Sequence, residues 1–283
     1  MSIKDSVLFS GVNYVNSCRV SGSTTTQGFP VANALTENLY EFVKLIGPNS
    51  YIEFDLGTSK SMQLLGILKH SFGLSATWRI RLGTTAVNTI SSPIYDSGVI
   101  DMANPFGSFG GLAWGEFDWG NVMPQEYSGL LNFHSFHLLN EPVQASFIRF
   151  DFSDTEGVHQ FARPWFGTIY QPSFNALYGS AIRPIDTTKE RKHESGRRTY
   201  GTRRQRRVME LNFELPEAEI FANIYGPLFS ISGKKGEIVC ILQPLNPETW
   251  VFESVYGNII DVASIVKAFW KYGTTQIAID ERV

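Results

Sequence analysis

The sequence predicts a mostly β protein: a β-sandwich over residues 1–180, a basic linker over 181–206, and a small β-rich α+β domain with one helix over 207–283. Three observations predict it. Short runs alternate apolar and polar residues with period two, the pattern of strands with one buried face. Stretches with helical period are few. Aromatic residues, 21 Phe among them, are punctuated by 25 Gly and 13 Pro, which end strands and make turns. At 283 residues the chain is long for one domain and comfortable for two.

The first clear strand is Tyr51 to Leu56, with Ile52, Phe54 and Leu56 on one face, ended by Gly57 and Thr58. Leu64 to Lys69 is nearly continuous in apolar residues, as expected of a strand covered on both sides. Thr77 to Leu82 alternates again, with Trp78, Ile80 and Leu82 opposed to Arg79 and Arg81. In Ser146 to Phe152 the apolar face is Ile148, Phe150 and Phe152, and Arg149 and Asp151 point the other way. Trp165 to Tyr170 reads as one more strand. Half-buried strands in this number predict a β-sandwich or jelly roll.

Residues 104–121 fit no period and hold five glycines and five aromatics. They read as a long aromatic loop, and loops of that length in a compact domain tend to carry function or be disordered. Phe106, Phe109, Trp114, Glu116, Asp118 and Trp119 are its candidate contact residues for a glycan or a protein partner. Aromatic faces can stack on sugar rings while carboxylates accept from hydroxyls.

Residues 187–205 are polar and charged, a linker or extended-arm composition. Beyond them Met209, Leu211, Phe213 and Leu215 alternate as a strand. Pro216 with Glu217 and Glu219 then opens a short helix, since Pro suits the first helical turn and carboxylates its positive end. Ile220, Phe221 and Ile224 would be its buried stripe. Further apolar runs follow at 237–242, 250–256 and 276–279, and 265–272 fits either a helix or a strand.

The net charge of −3 conceals an uneven distribution. Lys189 to Arg207 holds nine of the 24 basic residues against two Glu; without it, 15 basic residues face 25 acidic ones, a net of −10. The body is acidic and carries one basic segment. Arg197, Arg198, Tyr200, Arg203, Arg204, Arg206 and Arg207 are its candidate contact residues. Docking on an acidic neighbouring subunit, another copy included, is favoured over nucleic acid, because no sheet of aromatics stands beside them to stack bases.

No catalytic constellation emerges. There is no Gly-x-Ser-x-Gly elbow, and neither Cys18 nor Cys240 sits where a reactive thiolate is expected. His134 and His137 fall on opposite sides of a strand and lack a third ligand at zinc spacing, so they read as structural. The glycines near 107–115 lack both a P-loop ending and a strand-to-helix setting. No metal, no cofactor and no enzyme activity is expected. Two distant cysteines, no leader-like N-terminal run and no stretch of about 18 apolar residues predict a protein of a reducing compartment without membrane insertion.

Two resemblances add to this reading. Tyr51 to Gly57, Lys69-His70, Thr77 to Arg81 and Ile148 to Phe152 look like strands of a galactose-binding-like, discoidin-type jelly roll. That resemblance covers about residues 6–175 and implies the fold; the family's disulfide joining the ends is absent here, and 104–121 is an insertion. Trp165-Phe166-Gly167, Gln171-Pro172-Ser173, the arginine-rich 201–207 and Leu211 to Glu219 resemble phage virion proteins with an N-terminal sandwich and a small tail-type domain. This implies a structural tail-tip, distal-tail or baseplate component, made in the host cytoplasm and placed in the virion with other tail proteins and copies of itself. The alternative is a module binding a host surface glycan through the aromatic loop.

Overall fold

The computed structural model describes residues 3–72, 76–102, 134–154, 157–186, 188, 190–193, 197–201, 206–222, 235–262, 266–269 and 271–282. The described chain is mostly β, in antiparallel sheets.

The frame of the first sandwich is two long strands, β4 (Asn49–His70) and β7 (His134–Ser153), paired along most of their length. Their register breaks between Asp55 and Lys60, where Gly57 takes φ 69° and its N–H donates to Asp55 Oδ1 at 2.8 Å. A residue with a Cβ is strained at that φ, so the glycine supplies the bend. The break divides each strand between two layers. The first half of β4 pairs with the second half of β7 and with β2 (Arg19–Gly22). β5 (Thr77–Gly83) and β6 (Tyr95–Asp101) continue beyond β7, completing a front layer. The second half of β4 pairs with the first half of β7 and with β8 (Val158–Gly167), which β3 (Val43–Ile46) extends, giving a middle layer.

Alternation on the strands fills the space between the layers. Ile52, Phe54, Trp78, Ile80, Ile148 and Phe150 meet Leu65, Ile67, Phe161 and Phe166 in one buried cluster. Phe54 and Phe166 face each other across it at 5.2 Å. Side chains of this size each contribute about 1.5–3 kcal/mol by leaving water.

A third sheet has the order β1-β13-β14-β16-β12-β9, with β15 (Val266–Phe269) on β16. Its strands are β1 (Leu8–Ser10), β9 (Ala181–Ile185), β12 (Arg206–Pro216), β13 (Glu237–Ile241), β14 (Ser254–Val262) and β16 (Tyr272–Glu281). One face carries Phe9, Met209, Leu211, Phe213, Cys240 and Ile279. From the other face Leu8, Val239, Ile241 and Tyr256 pack on Leu64, Leu68, Phe136 and Trp165 of the middle layer. This explains the apolar run on β4: alternate residues face the sandwich core and the third sheet.

Several expectations change. The boundary at residue 180 is crossed at the N-terminus, because Leu8–Ser10 pair with β13. Phe9 and Tyr170 exchange both backbone hydrogen bonds, at 2.8 and 2.7 Å, which ties the chain leaving β8 to that same edge. The segment 181–206 is more than a linker: β9 joins β12, and β10 (Glu190–Lys192) pairs with β11 (Arg198–Tyr200) as a separate hairpin. The strand expected at 165–170 begins earlier and ends at Gly167. The helix after Pro216 is one short turn, with Ile220 buried but Phe221 more than half exposed; Ile224 lies outside the described residues. The run 250–256 splits into a helical turn, Trp250–Glu253, and the start of β14. Among the described residues no helix is long and apolar enough to cross a membrane.

Candidate functional site

The residues opposite the core on the front layer form a polar face. Cross-strand register sets Tyr51, Asp151, Arg79 and Val99 in one row over β4, β7, β5 and β6. The next row is Glu53, Arg149, Arg81 and Asp96. Arg149 and Arg81 are directly opposed, an arrangement that repels unless an anion joins them. Asp151 is that anion. Its Oδ1 accepts from Arg149 Nε at 2.9 Å, and its Oδ2 accepts from Arg81 Nη2 at 2.6 Å and Nε at 3.1 Å.

Neighbours fix the remaining groups. The Arg149 guanidinium lies 3.7 Å over the Tyr51 ring, with Nη1 3.7 Å from Glu53 Oε2. Such a cation on an aromatic face is held in plane and loses rotamer freedom. Arg81 Nη1 reaches the Ile90 carbonyl at the end of helix α1 (Ala86–Ser91). Arg79 donates to Asp96 from Nε and Nη2, and this hydrogen bonding holds the Asp96 carboxyl below its usual range. Burial pushes the Glu53 carboxyl up, against the pull of Arg149.

Tyr51, Arg79, Arg81, Arg149 and Asp151, with Thr77 and Ser153, line a groove of about 480 Å³, and Glu53 and Asp96 are not in its lining. Each guanidinium has a carboxylate partner, so donors and acceptors alternate with no unpaired cation among the three arginines. Val99, 69% exposed, is the apolar member of the rim. A ligand here meets fixed arginine N–H donors beside the Asp151 carboxylate, the requirement for a molecule whose own groups both donate and accept.

Phe106, Phe109, Trp114, Glu116, Asp118 and Trp119 lie outside the described residues, as do Arg203 and Arg204. Arg197, Arg198 and Tyr200 are exposed on or beside the β10–β11 hairpin. Arg206 and Arg207 stand apart from them at the start of β12. Arg206 Nη1 is 2.6 Å from Asp280 and Arg207 Nη2 is 2.6 Å from Glu281; Arg207 also donates to the carbonyls of Phe252 and Ser254. These two stitch β12 to β16 and β14 within the chain. The histidines are built into polar pairs: His137 Nε2 meets Tyr95 Oη at 2.5 Å, while His134 Nδ1 accepts from the Lys69 N–H and the His134 ring stands edge-on to Tyr256. His70 and His159, for which the sequence offers no companions, meet Ser135 and Ser50 at 2.7 Å. Among the described residues no group of three His, Cys, Asp or Glu could hold a metal ion.

The groove residues carry one signal in the sequence, charged positions alternating with core positions on three strands. What the sequence hides is the register that makes them neighbours.

No family model matches the chain, and no curated protein matches it. Among solved structures it is similar to the lectin domain of Lectinolysin complexed with Lewis B antigen, at 14% identity and TM-score 0.37, over 59% of this chain and 99% of that one. A Streptococcus pneumoniae fucose binding module is similar at 14% identity and TM-score 0.37, over 56% and 95% of the two chains. The family 32 CBM from C. perfringens NanJ in complex with galactose is similar at 10% identity and TM-score 0.35, over 56% and 98%.

Proposed function

We propose that this chain is a non-catalytic binding module that takes an uncharged carbohydrate in the front-layer groove. One observation carries the reading: a row of guanidiniums, each neutralised by a carboxylate, held rigid on an open sheet face. A phosphate or sulfate ligand calls for unpaired cations, which this row does not offer. A neutral polyol suits it, since a sugar hydroxyl can accept from an arginine and donate to the Asp151 carboxylate. Tyr51 is a positioning residue that carries Arg149, and Val99 offers an apolar contact for a sugar C–H face.

A glycan array with the intact chain tests this. Wild type is expected to retain neutral glycans, Arg149→Ala and Arg79→Ala to lose them, and Trp114→Ala with Trp119→Ala to keep them. Loss in the tryptophan variants alone would move the site to the aromatic stretch 104–121. No retention by wild type would end the carbohydrate reading.

A second reading, a structural component of a virion tail as the sequence resemblance implies, is favoured by one observation, an exposed basic hairpin on an otherwise acidic chain. Mass spectrometry of purified particles tests it; absence of this chain from them would sink it.

A further inference from the structure

The β10–β11 hairpin stands apart from the three packed layers. Its pairing, Glu190 with Tyr200, Arg191 with Thr199 and Lys192 with Arg198, involves no third strand. Its hydrogen bonds among the described residues are internal: His193 N–H to the Arg197 carbonyl at 2.8 Å, and Thr199 Oγ1 to His193 and to the Arg191 carbonyl. Its ion pair is internal too, Arg198 with Glu190 at 3.1 Å. Tyr200 is 64% exposed. A lone two-stranded hairpin is marginal in water, because it has no face on which to bury apolar surface. This one carries three exposed cations, Arg191, Lys192 and Arg197, for which the described residues offer no ion-pair partner.

The rest of the chain supplies the complementary charge. Outside residues 190–200 the net is −5, and every copy carries both the basic hairpin and the acidic body. Two copies can therefore satisfy each other, whereas within one copy the hairpin pairs with no strand of the three layers. Nucleic acid fits less well, since Tyr200 is a lone aromatic without a platform for successive bases.

We propose that the β10–β11 hairpin is the element by which one copy of this chain docks on the acidic surface of another. The contact is electrostatic, so it fixes register and speeds encounter, and salt weakens it. The inference is independent of the carbohydrate reading, because the hairpin contributes nothing to the groove.

Sedimentation velocity of the intact chain decides it. At low salt the wild type is expected to show mass above the monomer that rises with concentration. At about 1 M salt, where screening reaches about 3 Å, it is expected to be monomeric. The triple variant Arg191→Glu, Lys192→Glu, Arg197→Glu should be monomeric at both salts. Its melting temperature should be unchanged, since these side chains are exposed. Arg191→Lys with Arg197→Lys should associate as wild type does, within about threefold, because charge rather than guanidinium shape carries the contact. Wild type that stays monomeric at low salt overturns the proposal. So does a triple variant that still associates, or a chain that is monomeric alone but retained on a DNA duplex at low salt through these three residues.

Discussion

Arg163 on β8 and Glu237 on β13 form an ion pair of 3.1 Å between the middle layer and the third sheet, with both side chains buried. Arg163 also donates to the carbonyls of Leu35 and Thr36, at 3.0 and 2.6 Å, and to Asn16 Oδ1. Glu237 accepts from Tyr256 Oη at 2.9 Å and from Arg282 at 3.1 Å. One guanidinium thus joins the N-terminal loops, the sandwich and the third sheet. Removing one partner leaves the other charge buried alone, which costs about 3–5 kcal/mol. Arg163→Met is expected to lower stability by that amount in urea unfolding, and Arg163→Met with Glu237→Leu to recover part of it. A loss below about 1 kcal/mol for the single variant would show that the joint does not depend on this pair.

Close backbone contact makes a second expectation. A Cβ on Gly167, at the end of β8, would stand 2.0 Å from the Val12 carbonyl oxygen. Backbone cannot move aside as a flexible side chain can, so Gly167→Ala should cost about 1–3 kcal/mol. Thermal unfolding checks this, and a melting temperature equal to that of wild type would contradict the packing.

Both cysteines should be inert in the folded state. Burial pushes the Cys18 thiol up to about 12, with Sγ donating to the Val15 carbonyl at 2.9 Å, and raises Cys240 well above its ordinary value. Without thiolate there is no nucleophile. A thiol reagent at mildly alkaline pH is expected to label neither cysteine in the native chain and both after denaturation. Rapid native labelling of either one would contradict the burial.

Acid stability should depend on His70. Desolvation pushes its pKa down to about 3, and burial lowers His137 and His159 as well. An unfolded histidine titrates near 6.5, so as pH falls the unfolded chain takes up protons first. The stability held by a neutral His70 is complete above about pH 6.5 and declines as pH falls toward 3. Glu53 and Asp280, whose carboxyls burial pushes up, act in the opposite sense. The comparison is therefore between wild type and His70→Gln: between neutral pH and pH 4 the melting temperature of the variant should fall less steeply. Equal slopes would contradict the shift.

Where period two ran cleanly the fold was legible. Ile52, Phe54 and Leu56 opposed to Tyr51 and Glu53, and Ile148, Phe150 and Phe152 opposed to Arg149 and Asp151, gave both the strands and their buried faces. The run at Leu64 to Lys69 told that a strand was covered twice, but not that the second cover is a sheet holding Leu8 and Ile241. Three residues such as Leu8–Ser10 carry no period, and their partner lies more than 200 residues away in sequence. The basic segment was legible as charge and not as a hairpin, since Glu190 to Tyr200 has no apolar face to alternate. The groove was half legible. Its arginines were visible on polar strand faces, while their convergence on Asp151 depends on the registers of β4, β5 and β7.

The front-layer groove is proposed to bind an uncharged carbohydrate. Calorimetric titration of a neutral oligosaccharide chosen from the array tests it most directly, with wild type and Arg149→Ala compared at low salt and at about 1 M salt. Wild type is expected to show one site per chain and a Kd that salt leaves within about twofold, with binding at least about tenfold weaker in Arg149→Ala. A Kd that weakens steeply with salt, or one that Arg149→Ala leaves unchanged, would contradict it.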